Sequence, residues 1–246
     1  MSNATATSRT GCFYGVGVGP GDPELLTLKA LRLIKDSAVV SYLSNAEGHS
    51  QAWGIASGAL ELSGASCDAK HISVPMPMVI QRDPANAAYD TGAAEIRECL
   101  AAGQDVVFLC EGDPLFFGSF SYLLERLENE FTCKVVPGIS SVNAAASALA
   151  LPLTMQQESF AVVSGRHTDE QLAEALTDHD SVVIMKAGMA RPRILAQLEA
   201  TGRLHEARYL EYIGRENQQT MPAAELVNEA GPYFSLFVVV RENRPS

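Results

Sequence analysis

The sequence predicts an α/β protein of two domains, with a mostly parallel sheet in the first domain and a mixed sheet in the second. Two observations predict this fold class. Short apolar runs alternate with segments of helical periodicity along the chain, which is the pattern of a sheet covered by helices. A turn, a small-residue segment and a second break at 135–154 indicate a joint. We place the domains at 11–136 and 137–246, with a ligand cleft between them.

The predicted strands are short apolar runs, each bounded by turn residues or a helical segment. In the first domain they lie near 12–18, 38–42, 69–74, 105–110 and 133–136. In the second domain they lie near 159–164, 181–186, 208–213 and 233–241, and we expect the last ones to pair antiparallel. Helical patterns include one from Phe120 to Leu127 and one of small residues from Ala144 to Ala150.

The first helix is expected to open directly after a glycine-rich turn at 15–23. Asp22 stands where an N-cap belongs, and Pro23 suits the first helical position. Leu25, Leu28 and Leu31 then recur at helical spacing, which predicts an apolar face.

Two glycine-rich turns predict a ligand site. The segment GVGVGPGDP (15–23) follows the first predicted strand, and GDPLFFGS (112–119) follows a later one. Open α/β folds bind ligands where a strand ends in such a turn, because glycine lets the backbone approach a ligand closely. The spacing excludes a nicotinamide dinucleotide, since G-x-G-x-x-G is missing and the strand near 38–42 ends without a carboxylate.

These turns resemble those of the tetrapyrrole methylases, which are S-adenosylmethionine-dependent enzymes of cobalamin and sirohaem synthesis. The resemblance extends from Cys12 to about Arg241 and includes VPGISS (136–141) and VVIMK (182–186). Within the family, 111–119, 210–215 and 232–236 look most like the precorrin-2 C20-methyltransferases. The uroporphyrinogen branch usually has G-G-D-P and F-G-R-G, and the ribosomal-RNA branch usually has G-T-P, so neither matches as well.

The resemblance implies that S-adenosylmethionine is the methyl donor and that it lies in the cleft. From the first domain it implies contacts to the backbone of the two glycine-rich turns and of the turn after the fifth strand. From the second domain it implies residues that line the adenine. The implied donor residues are Pro20, Glu111, Gly112, Asp113, Phe116, Ser140, Ser141, Met185, Ala187, Tyr212, Ile213, Ser235 and Leu236.

The implied reaction is methyl transfer to the C20 carbon of precorrin-2, a tetrapyrrole polycarboxylate. Because the sulfonium donor is already activated, the protein's main task is to align the methyl group with the carbon and to exclude water. The sequence does not identify the base that removes the C20 proton, and the candidate catalytic residues are Tyr14, Glu111, Asp113 and Tyr212.

Basic residues are expected to gather around the substrate although the net charge is −11, which argues against a nucleic-acid partner. Cationic candidates are Arg82, Arg166, His167, Lys186, Arg191, Arg193 and Arg215. Guanidinium groups bind carboxylates in a fixed orientation. We therefore predict Arg82 and Arg215 as substrate contacts, with Arg166 in reserve.

The remaining composition favours a cytoplasmic protein. No apolar run is long enough to span a membrane, and the first ten residues lack a signal-peptide core. Five scattered cysteines and five scattered histidines give no metal-binding spacing, so we expect no metal.

The assembly and the exact function leave alternatives. The resemblance implies a homodimer, and the apolar segment 76–80 is either an interface, a lid or ordinary core. The alternatives to a precorrin-2 methyltransferase are an enzyme acting on the cobalt form and a non-catalytic tetrapyrrole or S-adenosylmethionine binding protein.

Overall fold

The structure is a computed structural model that describes residues 9–77 and 82–242, with the side chain of Arg82 outside the described part. The chain divides into two compact units, one ending at Ser140 and the other beginning at Ser141. Each unit has its own sheet and its own helices.

The first unit is built on a parallel sheet. Its strands pair in the order β3-β2-β4-β1-β5, and every pairing between them is parallel. The strands are β1 (Cys12–Gly17), β2 (Val39–Ser44), β3 (Lys70–Pro75), β4 (Val106–Cys110) and β5 (Thr132–Val136). The central strand β4 is buried along its whole length, as expected for a parallel strand covered on both faces.

Helices cover both faces of this sheet. They are α1 (Leu28–Asp36), α2 (Gln51–Leu62), α3 (Arg82–Ala101) and α4 (Phe120–Leu127), and a 3₁₀ turn (Pro23–Leu25) precedes α1. Apolar residues of α1 and α2 pack with Val16 and Leu109 on one face. Those of α3 and α4 pack with Phe13 and Phe108 on the other. The chain therefore passes from β1 and from β4 to opposite faces of the sheet.

The second unit is built on a mixed sheet in the order β6-β7-β10-β8-β9. Its strands are β6 (Phe160–Ser164), β7 (Ser181–Met185), β8 (Ala207–Glu211), β9 (Gln219–Pro222) and β10 (Ser235–Val240). Strands β6 and β7 are parallel, and the pairings of β10 with β7 and β8, and of β8 with β9, are antiparallel.

Helices α6 (Asp169–Asp178) and α7 (Arg191–Ala200) cover one face of the second sheet, and α5 (Ser141–Leu149) packs on the other. A second 3₁₀ turn (Ala223–Glu225) follows β9. These elements confirm the predicted fold class, including the parallel first sheet and the mixed second one.

The start of the first helix differs from the prediction. Asp22 does cap a turn, because its side chain accepts the Glu24 amide, but that turn is a short 3₁₀ helix. A separate helix begins at Leu28, where the Thr27 hydroxyl accepts the Ala30 amide. Leu28 is 86% exposed and is not part of an apolar face. Two N-capping side chains in succession start two separate elements, and this overrides the leucine spacing.

Among the described residues, none of the helices is both long enough and apolar enough to cross a membrane.

Candidate functional site

Three loops of the first unit converge where β1, β4 and β5 end. A Cβ atom placed on Gly17 would lie 2.5 Å from the Gly112 carbonyl oxygen and 2.6 Å from the Gly138 Cα. Side chains at Gly17 or Gly138 would therefore collide with the backbone of the neighbouring loops. These glycines permit a backbone packing that no other residue allows.

Hydrogen bonds tie the first two loops together. The Val18 amide donates to the Cys110 carbonyl at 2.9 Å, and the Gly112 amide donates to the Gly19 carbonyl at 2.8 Å. Gly19 and Gly112 have φ values of +84° and +65°. Glycine adopts this left-handed conformation at little cost, so both turns depend on it.

The paired loops lie at a topological switch point. Strands β1 and β4 are neighbours, yet the chain leaves β1 through α1 towards β2 and leaves β4 through α4 towards β5. The two connections run to opposite faces of the sheet. Such a divergence opens a crevice at the carboxyl ends of the strands, where open α/β folds bind ligands. The structure thus places the predicted donor residues Pro20, Gly112 and Phe116 in loops at this edge.

Asp113 fixes the geometry of these loops. One carboxylate oxygen accepts the Leu115 amide at 2.9 Å, and the other accepts the Gly138 amide at 3.1 Å. The side chain therefore joins the loop after β4 to the loop after β5. Its predicted roles as a donor contact or base stay predictions, whereas its role in holding the two loops is visible in the structure.

The turn after Asp113 presents apolar side chains. Leu115, Phe116 and Phe117 are each more than a third exposed, and the two phenylalanine rings meet edge to face at 5.3 Å. Phe117 has a φ of +55°, an uncommon conformation for a bulky residue. An exposed apolar turn of this kind can cover the apolar face of a bound ligand.

Tyr14 does not lie with these loops. It is in the interior of β1, three residues and about 10 Å before the carboxyl end at Gly17. Its ring lies 5.6 Å from the Lys134 Nζ, and burial raises the pKa of its hydroxyl, with a further contribution from Cys12. The geometry therefore does not support Tyr14 as the base.

In the second unit, the register brings the predicted donor residues to one edge of the sheet. Leu236 lies opposite Met185, and Ser235 lies opposite Glu211. The Ala187 amide donates to the Ser235 carbonyl at 3.3 Å, and the Tyr212 amide donates to the Phe234 carbonyl at 2.9 Å. The ends of β7 and β8 and the start of β10 thus form one continuous strip of backbone.

Two residues of this strip have left-handed backbones. Lys186 follows β7 with a φ of +56°, and Tyr212 follows β8 with a φ of +51°. Neither is a glycine, so both conformations are strained, and such strain occurs most often at ligand sites. Ala187, the neighbour of Lys186, is fully buried, and its role as a donor contact stays a prediction.

Cations are found beside the same strip. Arg166, Lys186 and Arg215 follow β6, β7 and β8 in turn. Burial lowers the pKa of the Lys186 ammonium, and the charge of Arg166 lowers it further. The Arg215 guanidinium lies 4.0 Å from the centre of the Phe234 ring. This edge of the second unit therefore presents three cations, although the chain has a net charge of −11.

Other predicted cations have different roles. Arg191 is buried. Arg193 donates to the Gly165 and His167 carbonyls at 2.9 and 2.6 Å. The predicted substrate contact Arg82 begins α3, but its side chain lies outside the described residues, as do residues 78–80 of the apolar segment.

The glycine packing and the Asp113 bridge were not predicted as such. Gly17, Gly112 and Gly138 are all part of the motifs, but no local pattern indicates that they meet. The sequence does show a turn after each of three predicted parallel strands. That pattern could have indicated that the three turns meet, because the carboxyl ends of parallel strands lie at the same edge of the sheet.

Comparisons with known proteins identify the family. The family model described as tetrapyrrole (corrin/porphyrin) methylases matches residues 12–226. The cobalamin biosynthesis protein CobIJ of Mycobacterium tuberculosis is 37% identical over 235 residues, which is 93% of this chain and 46% of that protein. The chain thus spans about half the length of this relative.

Two further curated relatives are matched over nearly their whole length. The precorrin-2 C(20)-methyltransferase of Sinorhizobium is 35% identical over 93% of this chain and 95% of its own. The cobalt-precorrin-2 C(20)-methyltransferase of Salmonella typhimurium is 29% identical over 94% and 97%.

Solved structures share the fold. A uroporphyrin-III C-methyl transferase from Thermus thermophilus, complexed with S-adenyl homocysteine, has a TM-score of 0.68 and 25% identity, over 94% of this chain and 97% of that one. The cobalt precorrin-4 methyltransferase CbiF has a TM-score of 0.69 over 93% and 94%, and its identity of 19% supports the fold alone.

Proposed function

The chain belongs to the tetrapyrrole methylases. We propose that it is a methyltransferase that transfers a methyl group from S-adenosylmethionine to C20 of precorrin-2. One observation supports this substrate above all, the match over 95% of the length of a precorrin-2 C(20)-methyltransferase. The match to a cobalt-precorrin-2 enzyme, at 29% identity, favours the cobalt form as the second candidate substrate.

We propose donor contacts at each of the two strand-end edges described above. In the first unit they are the loops at Pro20, 111–113, Phe116 and Ser140, and Ser141 begins the second unit. In the second unit the proposed donor residues are Met185, Ala187, Tyr212, Ile213, Ser235 and Leu236. The backbone packing of Gly17, Gly112 and Gly138 supports the proposal, because it holds three strand-end loops together at a switch point, where open α/β folds bind ligands.

The chemistry requires alignment more than a strong nucleophile. The methyl group moves from sulfur to C20, the electron pair of the broken bond stays on sulfur, and C20 then loses a proton to a base. Holding the two reactants in line can lower the barrier by roughly 7–11 kcal/mol. Glu111, Asp113 and Tyr212 remain the proposed candidates for the base, since all three follow strand ends at the proposed site.

The cations at the edge of the second unit are the proposed contacts for the substrate carboxylates. The proposed contacts of the second unit are Arg166 and Arg215, and Arg82 of the first unit is proposed as well. Lys186 lies beside Arg166, whose charge lowers the pKa of the Lys186 ammonium. Stacking on Phe234 restricts the orientation of the Arg215 guanidinium. A fixed guanidinium can orient the macrocycle as well as bind it.

Transfer of a labelled methyl group tests the proposal. Precorrin-2 and its cobalt form are compared as acceptors at equal concentration with saturating donor, and the product is located by mass spectrometry and NMR. Methylation at C20 of precorrin-2, with higher kcat/KM than for the cobalt form, is the expected result. Methylation at another carbon, or donor binding without transfer, would contradict the proposal.

The substrate contacts are tested by Arg82→Ala and Arg215→Ala. Each substitution should lower kcat/KM for the tetrapyrrole at least threefold. Arg208→Ala is the matched control, because Arg208 lies near the other end of β8 and donates to the His205 carbonyl. If both site variants match this control, the carboxylates are bound elsewhere.

A cytoplasmic homodimer completes the proposal. Light scattering at micromolar concentration should give twice the 26.3 kDa mass of one chain. A monomer under these conditions would contradict the dimer.

A further inference from the structure

Arg191 occupies a position that helix stability does not explain. It is the first residue of α7, and it is only 7% exposed. The positive end of the helix dipole disfavours a cation there, and burial of a charge is costly unless the charge is paired. The contacts of the guanidinium must therefore account for the residue.

Those contacts run to one segment of chain, to one carboxylate and to the Tyr209 ring, whose centre lies 5.4 Å from the guanidinium carbon. The Arg191 Nε donates to the Glu229 carbonyl at 2.5 Å, and Nη2 donates to the Ala230 carbonyl at 3.2 Å. The remaining Nη1 lies 3.7 Å from Oε1 of Glu211, which is also buried. The planar guanidinium thus fixes the segment 229–230 against the end of β8.

The next residues, 231–232, are held by backbone contacts to Gly188 and by a hydrogen bond from Ser235. The Gly231 amide donates to the Gly188 carbonyl at 2.9 Å. A side chain on Gly188 would collide with the Pro232 carbonyl, so the two loops are packed backbone to backbone. The Ser235 hydroxyl donates to the Pro232 carbonyl at 2.8 Å. The course of 229–232 therefore constrains where the chain enters Phe234 from the N-terminal side.

Phe234 connects this course to a proposed substrate contact. Its carbonyl accepts the Tyr212 amide, and its ring lies 4.0 Å from the Arg215 guanidinium. A displaced ring would remove the nearer of the two aromatic rings beside the Arg215 guanidinium, since the Tyr212 ring lies 6.0 Å away. Ser235 and Leu236 belong to β10, whose pairing with β7 and β8 holds them independently.

We propose that Arg191 is a positioning residue for tetrapyrrole recognition, which sets the course of 229–234 and thereby holds the Phe234–Arg215 stack. The inference rests on the proposed function only in the role given to Arg215. Substitution of Arg191 should therefore raise the KM for the tetrapyrrole and change the KM for S-adenosylmethionine little.

Arg191→Lys and Arg191→Met test the proposal. Lysine keeps a positive charge opposite Glu211 but cannot hold both carbonyls in the same geometry, and methionine loses the charge as well. With saturating donor, the KM for the tetrapyrrole should rise at least fivefold in Arg191→Lys and further in Arg191→Met. The KM for S-adenosylmethionine should change less than twofold in Arg191→Lys.

Arg203→Lys is the matched control for a purely structural arginine. Arg203 is 6% exposed and donates to the Leu176, His179 and Asp180 carbonyls, which lie before the start of β7. It should lower the melting temperature without raising the KM for the tetrapyrrole. An equal change of KM in both lysine variants would overturn the proposal.

A double-mutant cycle with Arg215→Ala separates positioning from general damage. In the Arg215→Ala background, Arg191→Lys should have little further effect on the tetrapyrrole KM, because both substitutions remove the same contact. Additive effects would overturn the proposal.

Hydrogen exchange gives a readout that does not need activity. In Arg191→Lys the Gly231 and Tyr212 amides should lose protection at least tenfold relative to the wild type, whereas amides within β8 keep theirs. Unchanged exchange at both amides would overturn the positioning role. If the wild type does not methylate precorrin-2, the proposed function is wrong. The exchange result would still show whether Arg191 holds the segment 229–234 in place.

Discussion

An added methyl group at Gly17 tests whether the packing of three loops controls activity. In Gly17→Ala the new Cβ would lie 2.5 Å from the Gly112 carbonyl oxygen and 2.6 Å from the Gly138 Cα and amide nitrogen. Non-bonded carbon atoms are normally about 3.5–4.0 Å apart. The loops after β1, β4 and β5 must therefore separate by about 1 Å to accept the substitution.

This separation has two expected consequences. Overpacking of this kind costs about 1–3 kcal/mol of folding free energy. For a chain of this size, each kcal/mol lowers the melting temperature by roughly 2–4 °C. A misplacement of about 1 Å at a site that aligns two reactants can also lower the rate about 100-fold. Activity should thus fall far more than the fraction of folded protein.

Calorimetry and methyl-transfer kinetics measure the two effects separately. Gly54→Ala is the matched control, because Gly54 is exposed in α2 and an added Cβ meets no atom within 4 Å. Alanine in a helix interior is favoured over glycine by about 0.5–1 kcal/mol, so this variant should be slightly more stable and fully active. Wild-type turnover in Gly17→Ala would refute the reasoning.

Two further predictions concern Asp113 and Cys133. Asp113→Ala removes the acceptor of the Leu115 and Gly138 amides, so the free energy of unfolding should fall by about 1–3 kcal/mol. The affinity for S-adenosylmethionine, measured by calorimetry, should fall at least tenfold. Unchanged kinetics would contradict the role of Asp113. Burial raises the pKa of the Cys133 thiol to about 11, so iodoacetamide should label it roughly 100-fold more slowly at pH 8 than in the unfolded chain, as mass spectrometry can show. Because the unfolded thiol ionises at lower pH, this group should lower stability as pH rises from about 9 to 11, and equal labelling rates would contradict the prediction.

The strands that could be predicted are those whose residues are buried by the sheet itself. Strand β4 is apolar at every position because both of its faces are covered, and that requirement is visible in five consecutive residues. Strand β9 was missed for the converse reason. It contains Gln219 and Thr220, which are exposed, and it forms because the edge of β8 offers unpaired backbone groups. Because β9 depends on its pairing with β8, its own residues show no local pattern that predicts a strand.

The candidate site could be predicted as a set of loops, but not as a set of contacts. Motif spacing indicated the turns at 15–23 and 112–119, and the parallel sheet brings them to one edge. The bridge from Asp113 to Gly138 spans 25 residues of sequence, and the bond from Arg191 to Glu229 spans 38. The sequence included Arg191 among the candidate substrate cations, whereas burial and its carbonyl contacts give it an internal role.

Strained backbone at Phe117, Lys186 and Tyr212 explains why the strand-end loops differ from ordinary turns. Each of these residues has a φ above +50° and follows β4, β7 or β8. Glycine would relieve a strain of about 1–3 kcal/mol at each position, so conformation alone would favour glycine there. The side chains must therefore contribute something that glycine cannot. At Tyr212 the ring lies 6.0 Å from the Arg215 guanidinium, and at Lys186 the ammonium adds to the charge of Arg166. In the second unit, strain and positive charge thus coincide on the edge where we propose that the tetrapyrrole carboxylates bind.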